Sequence, residues 1–143
     1  MSERAGIIQS TVWASELTPD EFDRAARGIT ERRFDKNNYL CHRGDKVDYW
    51  HGVVTGLVKM SSVSLSGKAI TFAGIGAGGW FGEGSVLKDE ARKYDLVAVR
   101  DTHALLMNRP TFMWLYENSA GFNRFLVRQL NERLAQFIAT TEY

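Results

Sequence analysis

Between residues 32 and 107 the chain carries no proline and runs as short segments rich in Val, Ile, Tyr, Trp and Phe, broken by glycines and polar groups such as KNN, RGD, SGK and RDT. Branched and aromatic residues suit a pleated, half-buried surface, while Gly, Asn and Asp supply the turns. The pattern predicts many short antiparallel strands that close into a sandwich, jelly roll or double-stranded β-helix. Pro19 and Pro110, the two prolines of the chain, fall outside this stretch, at places where helices can start.

Helical signals flank the strands. In LTPDEF, Thr18 can cap a helix, Pro19 takes its first turn and Glu21 completes a capping box, with Leu17 and Phe22 as the hydrophobic staple. Phe22, Ala25, Ala26 and Ile29 then mark one buried face, and Gly28 its end. After the strands, Pro110 favours a short helix whose Phe112 and Leu115 can pack back on the barrel. Asn118 or Ser119 can cap a longer helix running to the end of the chain. There Phe122, Leu126, Leu130, Leu134, Phe137 and Thr141 recur at steps of three or four, flanked by Arg128, Glu132 and Arg133. So narrow a line resembles a coiled-coil seam more than a broad core face. Its first half can pack on the chain's own barrel, whereas its second half calls for a partner helix. A parallel homodimer is therefore expected, with Leu126, Leu130, Leu134 and Phe137 in the seam.

The 143 residues, 44% of them hydrophobic, suit one domain with a proper core. A formal charge of +1 leaves no field of one sign for a nucleic-acid backbone, so direct DNA binding by these residues alone is not expected. The single Cys41 excludes an internal disulfide and reads as a small buried apolar group in a reducing cytoplasm. The N-terminus lacks the apolar segment of a signal peptide, and no apolar run approaches the roughly 18 residues of a membrane span. His42, His51 and His103 are dispersed, lack the H-x-H spacing of a cupin metal site, and read as turn or surface residues. No metal is expected. Trp50, Trp80 and Trp114 read as core or interface aromatics.

The stretch WFGEGSVLKDEARKYD, residues 80 to 95, interrupts the strand pattern. Gly82 and Gly84 permit tight backbone, and Glu83 to Lys88 is long enough for about one helical turn or slightly more. Free N–H groups at its start, together with the planar fork of Arg92, suit a phosphate. A carboxylate at Glu83 would repel that phosphate but can accept hydrogen bonds from a nearby ribose hydroxyl. Alternatively Glu83 and Arg92 pair with each other and the cassette is structural.

The order of elements, with YLCHRGDKVD, VVTGLVKM, GWFGEGSVL and YDLVAVRDTHALL followed by RPTF and the long helix, resembles the cyclic-nucleotide-binding domain of the Crp/Fnr family of bacterial transcription regulators. The resemblance implies a mainly β double-stranded β-helix (jelly roll) with flanking helices over residues 1–117, and the start of a dimerisation helix over 118–143. It implies that residues 82 to 94 form a phosphate-binding cassette. Gly82, Glu83 and Arg92 would hold ribose and phosphate, with Gly84, Ser85 and Lys93 beside them. Base-side contacts would fall near Phe137, Ile138 and Thr141. Two departures bear on the ligand: Lys93 and Tyr94 stand where cyclic-AMP binders carry Ser or Thr and then Ala, and Asp95 adds a negative charge. Lys93 either supplies the missing donor or, by strand alternation, turns to solvent.

The expected function is that of a ligand-sensing regulatory domain, not an enzyme, which binds cyclic AMP, another nucleotide or a different small anion and signals through a homodimer helix. DNA would be reached only through a helix-turn-helix domain absent from these residues, and no membrane is involved. The competing readings are a cupin-like enzyme, a ligand-independent dimerisation module with a vestigial cassette, and a cyclic-nucleotide domain attached to a kinase or channel.

Overall fold

The structure is a computed structural model that describes residues 3–63, 66, 67 and 69–141, with 63, 69–73, 137, 140 and 141 as backbone only. Its helices are α1 (Glu3–Gln9), α2 (Pro19–Arg27), α3 (Glu83–Lys88), α4 (Arg109–Asn118) and α5 (Ala120–Thr141), with a 3-10 turn at Ala14–Glu16. The strands are β1 (Ile29–Phe34), β2 (Tyr39–Cys41), β3 (Tyr49–Thr55), β4 (Leu57–Val63), β5 (Ala69–Gly76), β6 (Trp80–Phe81), β7 (Asp95–Ala98) and β8 (Thr102–Asn108). They form two antiparallel sheets in the orders β1-β8-β3-β6 and β2-β7-β4-β5. This is the double-stranded β-helix that the strand texture predicts.

Local chemistry sets the helix ends. Thr18 Oγ1 accepts from the Glu21 N–H while the Glu21 carboxylate accepts from the Thr18 N–H, which completes the capping box of α2. Asn108 caps α4 by accepting from the Thr111 N–H at 2.8 Å, and Ser119 caps α5 by accepting from Phe122 at 3.1 Å. Helix α1 has no comparable signal. It is held by tertiary contacts: Ile8 is buried, and the Arg4 guanidinium donates to the carbonyls of Ala26 and Ile29.

An aromatic core joins the first sheet to the helices. Trp50 lies 4.4 Å from Trp80, and Trp13 meets Trp80 edge-on at 5.3 Å; Phe112 and Phe122 meet Trp50 edge-on at 5.3 and 5.5 Å. Inside the roll a second cluster, of Cys41, Val53, Val58, Phe81 and Leu96, is joined by Tyr94.

The long helix divides as its two halves require. Phe122, Phe125 and Leu126 are buried in the core, whereas Leu130 and Leu134 are 43% and 56% exposed. Leu126 therefore does not belong to a dimer seam: it is 3% exposed because the base of α5 is pressed onto the N-terminal segment and the roll. The close approach is enforced at Gly121, where a Cβ would sit 1.8 Å from the Glu16 carbonyl oxygen, and an Arg128–Glu16 ion pair closes the same contact. The side chains of Phe137 and Thr141 lie outside the described residues.

Candidate effector site

Strand β6 pairs with β3 through His51 opposite Phe81 and Gly52 opposite Trp80, which delivers Gly82 to the edge of the roll. Gly82 takes φ +91°, a left-handed conformation that favours glycine, and caps α3. Glu83 and Ser85 are buried and Gly84 is exposed. The chain then returns past Asp89, and Arg92 is pinned by backbone: its N–H donates to the Asp45 carbonyl at 2.9 Å, and its carbonyl accepts from Gly44 at 2.7 Å. The RGD turn thus sets where the arginine stands.

The Arg92 side chain points inward and is 3% exposed. Nη2 donates to the Tyr49 carbonyl oxygen at 2.7 Å and lies 3.5 Å from His51 Nδ1. Nη1 is buried with no hydrogen-bond partner among the described residues. It occupies the space a side chain at Gly82 would need, 2.3 Å from the position of such a Cβ. Among the described ion pairs none involves Arg92, so no described carboxylate oxygen stands within 4.0 Å of this buried cation.

Glu83 is 0% exposed and takes its partners from elsewhere. One oxygen accepts from Trp50 Nε1 at 3.3 Å; the other accepts from Gln129 Nε2 at 2.9 Å and forms an ion pair with Arg133. Arg133 and Gln129 also donate to the Trp80 carbonyl. The alternative of a Glu83–Arg92 pair is thereby overturned: the carboxylate binds α5 and the core, and the guanidinium binds β3. Residues four apart on one helix face project together, and this spacing is the sequence signal for Gln129 and Arg133.

Lys93 does not join the site. It lies in the bend before β7, and its ammonium is largely exposed and 3.8 Å from Glu90, turned away from Arg92. Ser85 is buried beside Glu83, while Ile138 is 49% exposed and belongs to the far part of α5. The histidine expectation needs correction: only His42 is exposed. His51 is stacked on Phe81 and buried, and buried His103 meets Glu31 at 3.2 Å across β1 and β8, because both lie on strands covered on two sides. Two hollows reach the site. A groove of about 540 Å³ runs between the segment 74–80, which links β5 to β6, and the polar face of α5 at Gln129 and Arg133. A smaller cavity of about 160 Å³ leads past Asp45 and Tyr49 to His51 and Arg92. Among the described residues no three His, Cys, Asp or Glu gather as a metal site, and no helix is long and apolar enough to cross a membrane.

A double-stranded β-helix with a short helix and a buried arginine at one corner, closed by a long C-terminal helix, defines the class of β-roll to which the chain belongs. The family model of the cyclic nucleotide-binding domain matches residues 31–119, and the chain belongs to that family. It is 31% identical over 99 residues to the cyclic AMP receptor protein of Thermus thermophilus, which covers 69% of this chain and 46% of that protein, so it spans less than half of its relative. The crystal structure of the Thermus thermophilus catabolite activator protein superposes with a TM-score of 0.75 at 25% identity, over 94% of this chain and 61% of that one. The sensor domain of the transcriptional regulator DNR from Pseudomonas aeruginosa shares the fold, with a TM-score of 0.79 at 17% identity, over 96% and 93% of the two chains.

Burial governs the titratable groups around Arg92. It pushes the Cys41 thiol up to about 11 against the opposing pull of Arg92, and it raises the Tyr94 hydroxyl against the same cation. His51 is pulled from 6.5 down to about 3, by burial first and then by the charges of Arg92 and Arg32, so the ring is neutral near pH 7. The unfolded chain takes up this proton below about pH 6.5, whereas the folded chain does so only near pH 3. Stability is therefore lost as pH falls through that window, by up to about 1.4 kcal/mol per pH unit from this group. Urea unfolding between pH 7 and pH 4 checks this: His51→Asn should show a shallower slope than the wild type, and equal slopes would contradict it.

Proposed function

We propose that this chain is the effector-sensing part of a Crp/Fnr-like transcription factor and that its effector binds through an anionic group at Arg92. The observation that carries the reading is a guanidinium buried to 3% exposure whose Nη1 has no hydrogen-bond partner, and which has no carboxylate in ion-pair contact, among the described residues. Burying an ion without a counter-charge costs several kcal/mol, and an anion at Nη1 would offset that cost. A charge-assisted contact of this kind contributes about 1.5–3 kcal/mol.

The ligand class proposed is a cyclic nucleotide, with cyclic AMP first because the Thermus relatives are named as a cyclic AMP receptor and a catabolite activator. Its phosphate would meet Arg92 beside Gly82, and its ribose hydroxyl would exchange with Gln129 or Arg133 at Glu83. Ser85 and Gly84 line the same short helix. This is a regulatory rather than a catalytic role, and DNA recognition belongs to a domain outside these residues.

The exposed Leu130 and Leu134 on α5 supply the surface for a homodimer, since a partner helix would remove apolar area from water there. Because Gln129 and Arg133 on the same helix grip Glu83, effector entry and the set of α5 are coupled. Sedimentation equilibrium tests the dimer: a concentration-dependent dimer is expected, and a monomer at every concentration contradicts it.

A second reading, a dimerisation module with a vestigial cassette, is favoured by one observation: the Glu83 carboxylate is already engaged by Trp50, Gln129 and Arg133. A thermal-shift panel of cyclic AMP, cyclic GMP and 5′-mononucleotides separates the two. A bound ligand at about 100 times its Kd adds roughly 2.7 kcal/mol, a rise of several degrees for this size. The sensor reading expects that rise in the wild type and its loss in Arg92→Ala. A wild type that responds to none of the nucleotides supports the vestigial cassette.

A further inference from the structure

Arg92 carries two N–H donors on each terminal nitrogen, and Nη2 has two neighbours to take them. One goes to the Tyr49 carbonyl oxygen at 2.7 Å, and the other lies along the 3.5 Å contact with His51 Nδ1. For His51 to accept, Nδ1 must be bare, so the ring is neutral with its proton on Nε2. The imidazole is packed in place: it is buried and lies parallel to the Phe81 ring, with centroids 5.5 Å apart and 7° between the planes. Phe81 immediately precedes Gly82, whose missing side chain leaves the room that Nη1 fills. One end of the guanidinium is thus tied to β3 while the other is aimed past the cassette glycine.

We infer that His51 is a positioning residue for Arg92: as the Nε2–H tautomer it takes up the Nη2 arm, so that the Nη1 arm alone is presented to the effector's anion. This rests on the reading of Arg92 given under the proposed function and extends it to ligand class. One arm of one cation, with Lys93 turned to solvent and only the neutral Tyr94 hydroxyl beside the guanidinium, matches a singly charged phosphodiester. A dianionic phosphate monoester would bring a second negative charge into the same buried corner with no cation to meet it.

Two measurements on the full chain decide the matter. Nitrogen-15 NMR of histidine-labelled protein without ligand should show His51 neutral, with Nδ1 unprotonated and shifted by an accepted hydrogen bond; an Nδ1–H tautomer overturns the inference whatever the ligand proves to be. Calorimetric titration with cyclic AMP then compares His51→Asn, which keeps an acceptor oxygen near the Nδ1 position, with His51→Leu, which removes it. We expect the Asn variant to bind within about threefold of the wild type and the Leu variant about tenfold or more weakly, a difference of about 1.4 kcal/mol. Thermal unfolding of both variants without ligand separates this from a general loss of structure. Equal losses in the two variants overturn the inference. A wild type that binds no cyclic AMP counts against the proposed function, while the tautomer still decides the role of His51.

Discussion

A positive charge held out of water without a counter-charge is the constraint around which this corner of the molecule is built. Arg92 is fixed from its backbone outward, by Asp45 and Gly44 on one side and by the Tyr49 carbonyl at the tip of its side chain. Gly82 is required opposite it twice over, for a left-handed backbone and for the space that Nη1 fills. The surrounding pKa shifts follow from the same burial: Cys41 and Tyr94 stay protonated and His51 stays neutral, so none of these three supplies a negative charge to the guanidinium.

The second carboxylate-bearing half of the site is wired differently. Glu83 sits on the aromatic core through Trp50 and on α5 through Gln129 and Arg133. Trp50 in turn packs against Trp80 and Phe122, and α5 is seated by the contact of Gly121 with Glu16. A change at Glu83 therefore reaches both the core and the long helix, whereas a change at Arg92 reaches the interior of the roll. An effector touching both would link the two halves.

Much of this was legible in the residues, and the limits have physical causes. The capping box at Thr18, the strand texture, the short helix at Glu83 and the inward Arg92 are written locally, in spacing and residue type. Helix α1 and the place of Trp13 were not, because they depend on Arg4 reaching across to Ala26 and Ile29 and on a pocket built by distant aromatics. Leu126 shows how an evenly spaced apolar line misleads: periodicity finds the face of a helix but not what covers it, and here the chain's own core covers the first half. His51 fails the usual expectation for a polar residue because β3 is buried on both faces, and no local pattern ties Glu83 to Trp50 on β3 or to Gln129 and Arg133 on α5.

The central claim is that Arg92 is kept buried for a ligand's sake rather than for the fold's. The most direct measurement is the unfolding free energy of Arg92→Met, an apolar residue of similar reach, against the wild type in buffer free of nucleotides. If the charge is held at the expense of stability, the variant should be as stable as the wild type or more so, and adding the effector should stabilise only the wild type. A variant several kcal/mol less stable in that buffer would show that the guanidinium is a structural strut, and the account would be wrong.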